Sequence, residues 1–388
     1  MIYTEFHGLK LSQLGFGTMR LPLREDKSID EAQAAAMTAE AIAHGVNYFD
    51  TAWPYHSGKS ETVIGSILKN YPRESFYLAD KFPGHQIAPS YDVAAVFEKQ
   101  LEKCGVDYFD FYLLHNVYES SIAVYEDERW GIIPYLLEQK RNGRIRHLGF
   151  STHAGLPALE SFLEKHGHEM EFCQIQLNYL DWTLQQAKEK CALLNRYQLP
   201  IWVMEPVRGG KLANLPDYAQ AQLRQLRPGM SDASWALRFV QQLPGVTMIL
   251  SGMSNLQQMQ DNLATFDHPE PLTEREQALL LEIAEKLKSA VPCTACRYCC
   301  DGCPQGIDIP QMLRVLNEIR VAPSTTAIMA TEALPEQQQP KSCLGCSACA
   351  AICPQKIDIP ACMQELTERI AKIPSWIEIS RQRAAEQP

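Results

Sequence analysis

The sequence predicts an α/β chain in two parts: a (β/α)8 or TIM barrel, then a smaller, mainly helical, cysteine-rich domain. Three observations carry this. Short apolar runs alternate with amphipathic stretches eight times between residues 10 and about 266. That count and length suit a closed barrel of parallel strands joined by right-handed helical crossovers. Ten of the 13 cysteines fall between Cys293 and Cys362. The tail also repeats itself: a shift of 50 carries Cys293, Cys296, Cys299 and Cys303 onto Cys343, Cys346, Cys349 and Cys353.

The strand candidates, in order, are QLGFGT (13–18), VNYFDT (46–51), SFYLADK (75–81), DFYLLH (110–115), IRHLGFS (145–151), FCQIQL (172–177), PIWVME (200–205) and VTMILSG (246–252). Apolar, β-branched and aromatic runs of this length read as buried strands. Helix candidates between them include 29–44, 93–104, 129–142, 184–197, 230–242 and 256–265. A doubly wound open sheet is the alternative, weakened because no G-x-G-x-x-G follows the first strand. Residues 272–289 read as one helix, opened by a capping box of Thr273 and Glu276. The expected domains are a barrel over 1–270, a linker helix over 271–290 and the cysteine-rich domain over 291–388. In the tail, CPQGIDIP at 303–310 becomes CPQKIDIP at 353–360, as two copies of one structural unit would give. The polar stretch 322–341 between the copies reads as loop, and the final RQRAAEQP as a frayed end.

With 36 basic and 46 acidic residues the net charge is −10, which argues against nucleic acid as a partner. The N-terminus lacks a signal-peptide pattern, and no apolar run is long enough to span a membrane. The expectation is a cytoplasmic protein without a membrane partner. Clustered cysteines in such a chain point to metal or redox chemistry, not to a disulfide framework.

Barrel enzymes place their chemistry at the C-terminal strand ends. There the second strand ends in Asp50, the third in Lys81 and the fourth in His115, with Tyr55 in the loop after Asp50. Four polar groups of complementary type on neighbouring strand ends can converge. Read singly, each is as well explained as an ordinary strand-end polar residue.

The segment YFDTAWPYHSGKSETVIG resembles the signature of the aldo-keto reductase superfamily, with Asp50, Tyr55, Gly58, Ser60, Glu61 and Gly65 in place. GFGTM at 15–19, containing Gly17 and Thr18, is similar to that family's first strand; Lys81 in LADKF and His115 in YLLHN match its third and fourth. The resemblance covers roughly residues 5–266. It implies an NAD(P)H-dependent enzyme that reduces a small carbonyl compound or oxidises an alcohol. Tyr55 would be the proton donor, with its pKa lowered from about 10 by the Lys81 ammonium. Asp50 would hold Lys81, and His115 would position the carbonyl oxygen. The resemblance also implies coenzyme contacts from Ser151, Gln174, Met204, Gly252, Ser254 and Asn262, besides Gly17, Thr18 and Asp50. Gln176 is the alternative to Gln174. Thr152 and Met204 depart from the family's usual Asn and aromatic residue. Asn255 and Gln258 stand where NADPH-specific members carry Arg or Lys. His44, His85, His147, His153 and His166 are expected in surface or supporting roles, and Cys104, Cys173 and Cys191 as small buried residues.

The tail spacing C-x2-C-x2-C-x3-C-P is the bacterial ferredoxin run, twice. In two-cluster proteins the fourth cysteine ligates the other cluster. One [4Fe–4S] cluster is then expected on Cys293, Cys296, Cys299 and Cys353, and the other on Cys343, Cys346, Cys349 and Cys303. Zinc on four thiolates is the alternative. Cys300 and Cys362 fall outside the run. The tail resembles helical two-cluster modules, which a subset of aldo-keto reductases carry. Three functions remain in play: carbonyl reduction in the barrel, electron exchange with a redox partner protein through the clusters, and clusters that serve structure or redox sensing.

Overall fold

A computed structural model describes residues 1–84, 92–119, 121–287, 291–321, 328, 331–332 and 334–375. Strands β1 (Tyr3–Phe6) and β2 (Leu9–Ser12) pair antiparallel. His7 and Gly8 both have positive φ, which makes the two-residue hairpin turn that matches strand twist. Eight parallel strands then close a barrel: β3 (Leu14–Gly17), β4 (Tyr48–Asp50), β5 (Tyr77–Phe82), β6 (Phe109–Val117), β7 (Ile145–Thr152), β8 (Cys173–Gln176), β9 (Ile201–Met204) and β10 (Val246–Ser251). Each pairs with its sequence neighbours, and β10 closes onto β3 through Ile249↔Leu14. All eight strand expectations are met, so the fold is a (β/α)8 barrel and not an open sheet.

The helices up to residue 287 are α1 (Glu31–Ala43), α2 (Ser60–Leu68), α3 (Val93–Cys104), α4 (Ile122–Tyr125), α5 (Ile132–Arg141), α6 (Leu156–His166), α7 (Asp181–Leu184), α8 (Ala187–Arg196), α9 (Asp217–Leu226), α10 (Asp232–Gln241), α11 (Leu256–Asp267) and α12 (Glu274–Leu287). Side-chain caps start several of them: Asp30, Asp92, Ser231 and Asn255 each accept from a backbone N–H three residues on. At α12 the capping box forms in both directions, Glu276 N–H to Thr273 Oγ1 and Thr273 N–H to Glu276 Oε2.

One layer of the barrel interior contains Phe6, Tyr48, Ala79, Phe111, Leu113, Phe172, Trp202 and Met248, all buried. Phe6 comes from the hairpin, and its ring lies 5.0 Å from Trp202 and 5.6 Å from Phe111. The hairpin thus contributes to the barrel core.

By Cα proximity the chain divides into Met1–Arg208 with Leu212–Leu281, and Gly209–Lys211 with Glu282–Pro388. The second unit contains α13 (Ile309–Val321), α14 (Ala348–Ala351) and α15 (Ile359–Ile370). Its core is built by Met312, Leu313, Leu316 and Ile319 of α13 against Met363 and Leu366 of α15. The repeat is structural as well as sequential. Gly306 N–H bonds Cys303 O at 3.0 Å, and Lys356 N–H bonds Cys353 O at 3.0 Å. Asp308 and Asp358 then accept from the N–H groups of Gln311 and Ala361 as α13 and α15 begin. Of the expected loop at 322–341, residues 328, 331–332 and 334–341 are described; 328, 331 and 332 are helical, not loop, and the end makes two 3-10 turns, Glu336–Gln338 and Pro340–Ser342. RQRAAEQP and His85 lie outside the described residues. No helix among the described residues is long and apolar enough to cross a membrane.

Candidate active site and cysteine cavities

Strand alternation decides which side chains reach the barrel interior. Tyr48, Ala79, Leu113, Phe172 and Trp202 belong to the interior layer. Two residues further along come Asp50, Lys81, His115, Gln174 and Met204. These five therefore face the same interior, one layer nearer the C-terminal mouth.

There Lys81 Nζ donates to Asp50 Oδ1 at 2.6 Å and to the Thr51 carbonyl at 2.6 Å. The same ammonium lies 5.0 Å from the centre of the Tyr55 ring. Tyr55 meets His115 edge-on, with ring centres 6.0 Å apart. All four side chains are buried. Tyr55 is held by its own loop: its N–H bonds Ala52 O, and its carbonyl accepts from Gly58 and Ser60. The left-handed run His56–Ser57–Gly58 lets the chain turn there into α2. The structure thus brings the four expected catalytic residues together.

Their electrostatics differ from expectation at one point. Burial pushes the Tyr55 phenol well above the ordinary tyrosine range, and the Asp50, Asp80 and Glu205 carboxylates push it the same way. The expected lowering by Lys81 does not prevail, because that ammonium is matched by Asp50 at 2.6 Å. Burial also raises the Asp50 carboxyl, against the opposing pull of Lys81.

The expected coenzyme contacts divide into two sets. Several are tied within the protein. Thr18 Oγ1 donates to the Asp50 carbonyl at 2.9 Å, and Ser151 Oγ accepts from Asn116 N–H at 2.8 Å. Ser254 Oγ donates to Arg20 O at 3.0 Å, and Asn262 Nδ2 to Ser251 Oγ at 2.7 Å. Asn255 Oδ1 caps α11 on Gln258 N–H. Gly17 and Gly252 leave room: a Cβ at Gly17 would lie 3.5 Å from Ser251 O, and one at Gly252 3.2 Å from Arg20 Cβ. The other set has capacity to spare. Gln174 Nε2 donates to Met204 Sδ at 3.6 Å, while its Oε1 and Asp50 Oδ2 are buried without a protein partner. An unsatisfied buried acceptor costs about 1–3 kcal/mol. A ligand carrying amide and hydroxyl donors would relieve both. Gln176, the alternative to Gln174, turns instead to Asp181 at 2.7 Å.

Sequence reasoning missed two ion pairs. Arg208 Nε contacts both Asp181 oxygens at 3.0 Å with neither side chain exposed, and Asp181 also accepts from Asn178. Arg20 pairs with Glu205 at 3.2 Å, joining the segments after β3 and β9. No spacing signal marks partners 27 and 185 residues apart.

In the second unit, Cys293, Cys296, Cys299 and Cys353 line one cavity. Cys303, Cys343, Cys346 and Cys349 line another. Each cavity draws three cysteines from one run and the fourth from the other, and Ile359 borders both. Cys300 and Cys362 line neither. Among the described residues, no three His, Cys, Asp or Glu side chains come close enough to share a single ion. His44, His147 and His166 lie beside Glu40, Glu171 and Glu169. Cys104, Cys173 and Cys191 are buried.

A family model described as "Aldo/keto reductase family" matches residues 13–285, and one described as "4Fe-4S dicluster domain" matches residues 292–358. A "Probable aldo-keto reductase 1" of Glycine max is 31% identical over 153 residues, 37% of this chain and 42% of that protein. An "Uncharacterized oxidoreductase YqkF" of Bacillus subtilis is 26% identical over 286 residues, 66% of this chain and 87% of that one. A crystal structure of a thermostable aldo-keto reductase, Tm1743, with the inhibitor epalrestat superposes with a TM-score of 0.60. It is 22% identical and covers 73% of this chain and 100% of that one, a likeness of fold.

Proposed function

The chain belongs to the aldo/keto reductase family, and on that premise we propose that it reduces an aldehyde or ketone with NAD(P)H, or runs the reverse oxidation, at the barrel mouth. One observation carries this most: a buried Lys81–Asp50 pair beside the edge-to-face rings of Tyr55 and His115.

A bound reduced nicotinamide would supply hydride to the carbonyl carbon. The free oxygens of Gln174 and Asp50 suit its carboxamide and ribose donors, with Ser151 and Met204 beside them. Gly17, Thr18, Gly252, Ser254 and Asn262 would shape the remainder of its site. Tyr55 gives its phenolic proton to the oxygen that becomes alcohol. Burial keeps the phenol protonated at neutral pH, the form from which a proton can be given. As the proton leaves, the Lys81 ammonium stabilises the phenolate. Asp50 fixes the ammonium in place. His115 orients the substrate oxygen and shares its developing charge. Tyr55→Phe lowers kcat for a panel of aldehydes and ketones, tested with NADH and NADPH, by about 10²–10⁴-fold. An unchanged kcat in a folded variant refutes the assignment.

For the tail we infer two [4Fe–4S] clusters, ligated across the two runs. Four thiols around each cavity, three from one run and the fourth from the other, suit the shared ligation of a two-cluster ferredoxin. Electron exchange with a redox partner is favoured over a purely structural role by the exposure of Cys346. Anaerobic preparation with iron and sulfide analysis tests the clusters. Bleaching of their visible absorption by NAD(P)H tests whether they take electrons from the barrel.

A further inference from the structure

The duplication supplies an internal comparison. Residues 342–355 of the second run carry no charged side chain, whereas 292–305 carry Arg297 and Asp301. The stretch 344–348 is exposed throughout. Leu344 is 63% exposed and Ile352 44%; among the described residues of the tail they are the large hydrophobics left exposed. The matching positions in the first run are Thr294, 3% exposed, and Gly302. Cys346 is the one exposed cysteine of the chain, while its counterpart Cys296 is half-buried.

Exposed apolar side chains in a contiguous uncharged stretch mark an interaction surface. This one lies over a cysteine cavity, since Leu344 and Ser347 help to line it. A stable dimer needs about 1,200–2,000 Å² of buried surface, more than one short run offers, whereas transient electron-transfer encounters sit below that range. A carrier protein also needs a short path to the cluster, and an exposed ligand gives one.

We propose that the surface around Leu344, Cys346 and Ile352 docks a separate one-electron carrier protein of the small iron–sulfur or flavin class. The cluster on Cys303, Cys343, Cys346 and Cys349 then exchanges electrons with it. This rests on the reading that the tail cysteines hold [4Fe–4S] clusters. One electron leaves the carrier's reduced centre, which is oxidised by one, and enters the cluster, which is reduced by one. No bond or proton changes place. Because the patch is uncharged, docking depends little on salt.

The test uses the full chain, prepared anaerobically and analysed for iron and sulfide. It is mixed in a stopped-flow instrument with photoreduced ferredoxin or flavodoxin, and in a parallel arm with reduced methyl viologen, a dye that needs no docking surface. Leu344→Asp combined with Ile352→Asp slows cluster bleaching by the protein carriers about tenfold or more, the effect of losing about 1.4 kcal/mol of docking. Dye reduction and iron content stay as in the parent. Leu23→Asp, at an exposed apolar residue remote in sequence from both cysteine runs, leaves both rates unchanged. Equal carrier rates in parent and variant overturn the proposal, as does equal slowing by Leu23→Asp. A dimer in sedimentation that dissociates on Leu344→Asp assigns the patch to a second copy and overturns it too. A parent protein without iron and sulfide refutes the cluster reading itself, before any rate is measured.

Discussion

Lys81→Met tests the pair on which the barrel-mouth chemistry is built. Lys81 and Asp50 are both buried and 2.6 Å apart. Removing one partner leaves the other charge uncompensated, a loss of about 3–5 kcal/mol. Burial already raises the Asp50 carboxyl, and Lys81 is the group that opposes the rise. Without the ammonium, Asp50 keeps a proton in the folded state that it releases near pH 4 when unfolded. The folded state then binds more protons, so stability falls as pH rises above about 4. The deficit of the variant is smallest in mild acid and grows toward neutrality. Adding Asp50→Asn removes the carboxylate. The double variant regains most of the lost stability and loses the extra pH slope, yet stays inactive because no ammonium faces Tyr55. Urea unfolding of the full chain at about pH 5 to 8, followed by tryptophan fluorescence, reads this in the barrel. Five of the six tryptophans (Trp53, Trp130, Trp182, Trp202 and Trp235) lie in that unit. A double variant as unstable as Lys81→Met at the alkaline end, or a deficit without pH dependence, refutes the reasoning.

Three further outcomes follow from the same structure. The paired hydrogen bonds from Arg227 hold the Glu276 carboxyl at about 2, so its contribution is full above the ordinary 4.5 and is lost as pH falls from there toward 2. Glu276→Gln removes this acid-sensitive part and costs about 0.5–2 kcal/mol at neutral pH, as loss of a capping group does; urea titrations at both ends of that window read it. Gly65→Ala would place a Cβ 2.4 Å from the Cys104 carbonyl, where backbone must give way. It destabilises by about 1–3 kcal/mol, seen as a lower thermal midpoint. In the tail, Cys353→Ser and Cys296→Ser disturb the same electron-spin-resonance signal, while Cys303→Ser and Cys346→Ser disturb the other. Cys300→Ser leaves iron and sulfide content unchanged.

The barrel was legible because its strands are apolar runs of ordinary strand length and most of its long helices are amphipathic. What escaped had weak or masked patterns. The β1–β2 hairpin rests on four-residue strands, YTEF and LKLS, too short for alternation to stand out. Helix α2 buries seven of its nine residues and has no side-chain cap, so neither a polar face nor a start signal announces it. The catalytic constellation was legible for a geometric reason: Asp50, Lys81 and His115 each follow a core residue of their strand by two positions. The direction of the Tyr55 shift was not. It depends on how completely the fold buries the phenol and on Asp50 neutralising Lys81, both consequences of packing.

The two cysteine runs share a backbone path and differ in what they present around it. Ala295 and Arg297 adopt left-handed backbone at φ 56 and 69, and Gly345 and Ser347 repeat it at 66 and 60. Gly306 at 63 is matched by Lys356 at 51. Such backbone costs a non-glycine residue about 1–3 kcal/mol and persists only where the surroundings demand it. Four non-glycine residues accept it at matched places, so the requirement comes from wrapping chain around four thiols. Positions 294/344, 297/347 and 302/352 escape that requirement in their side chains, and there the copies diverge: Thr and Leu, Arg and Ser, Gly and Ile. The first run spends those positions on a buried hydroxyl residue and on an ion pair, Arg297 with Asp308 at 3.1 Å. The second presents uncharged apolar surface. Alike wrapping with unlike exteriors leaves the two cavities differently bordered: Thr294 is buried and Arg297 is paired with Asp308 on the first run, whereas Leu344 and Ile352 are exposed on the second.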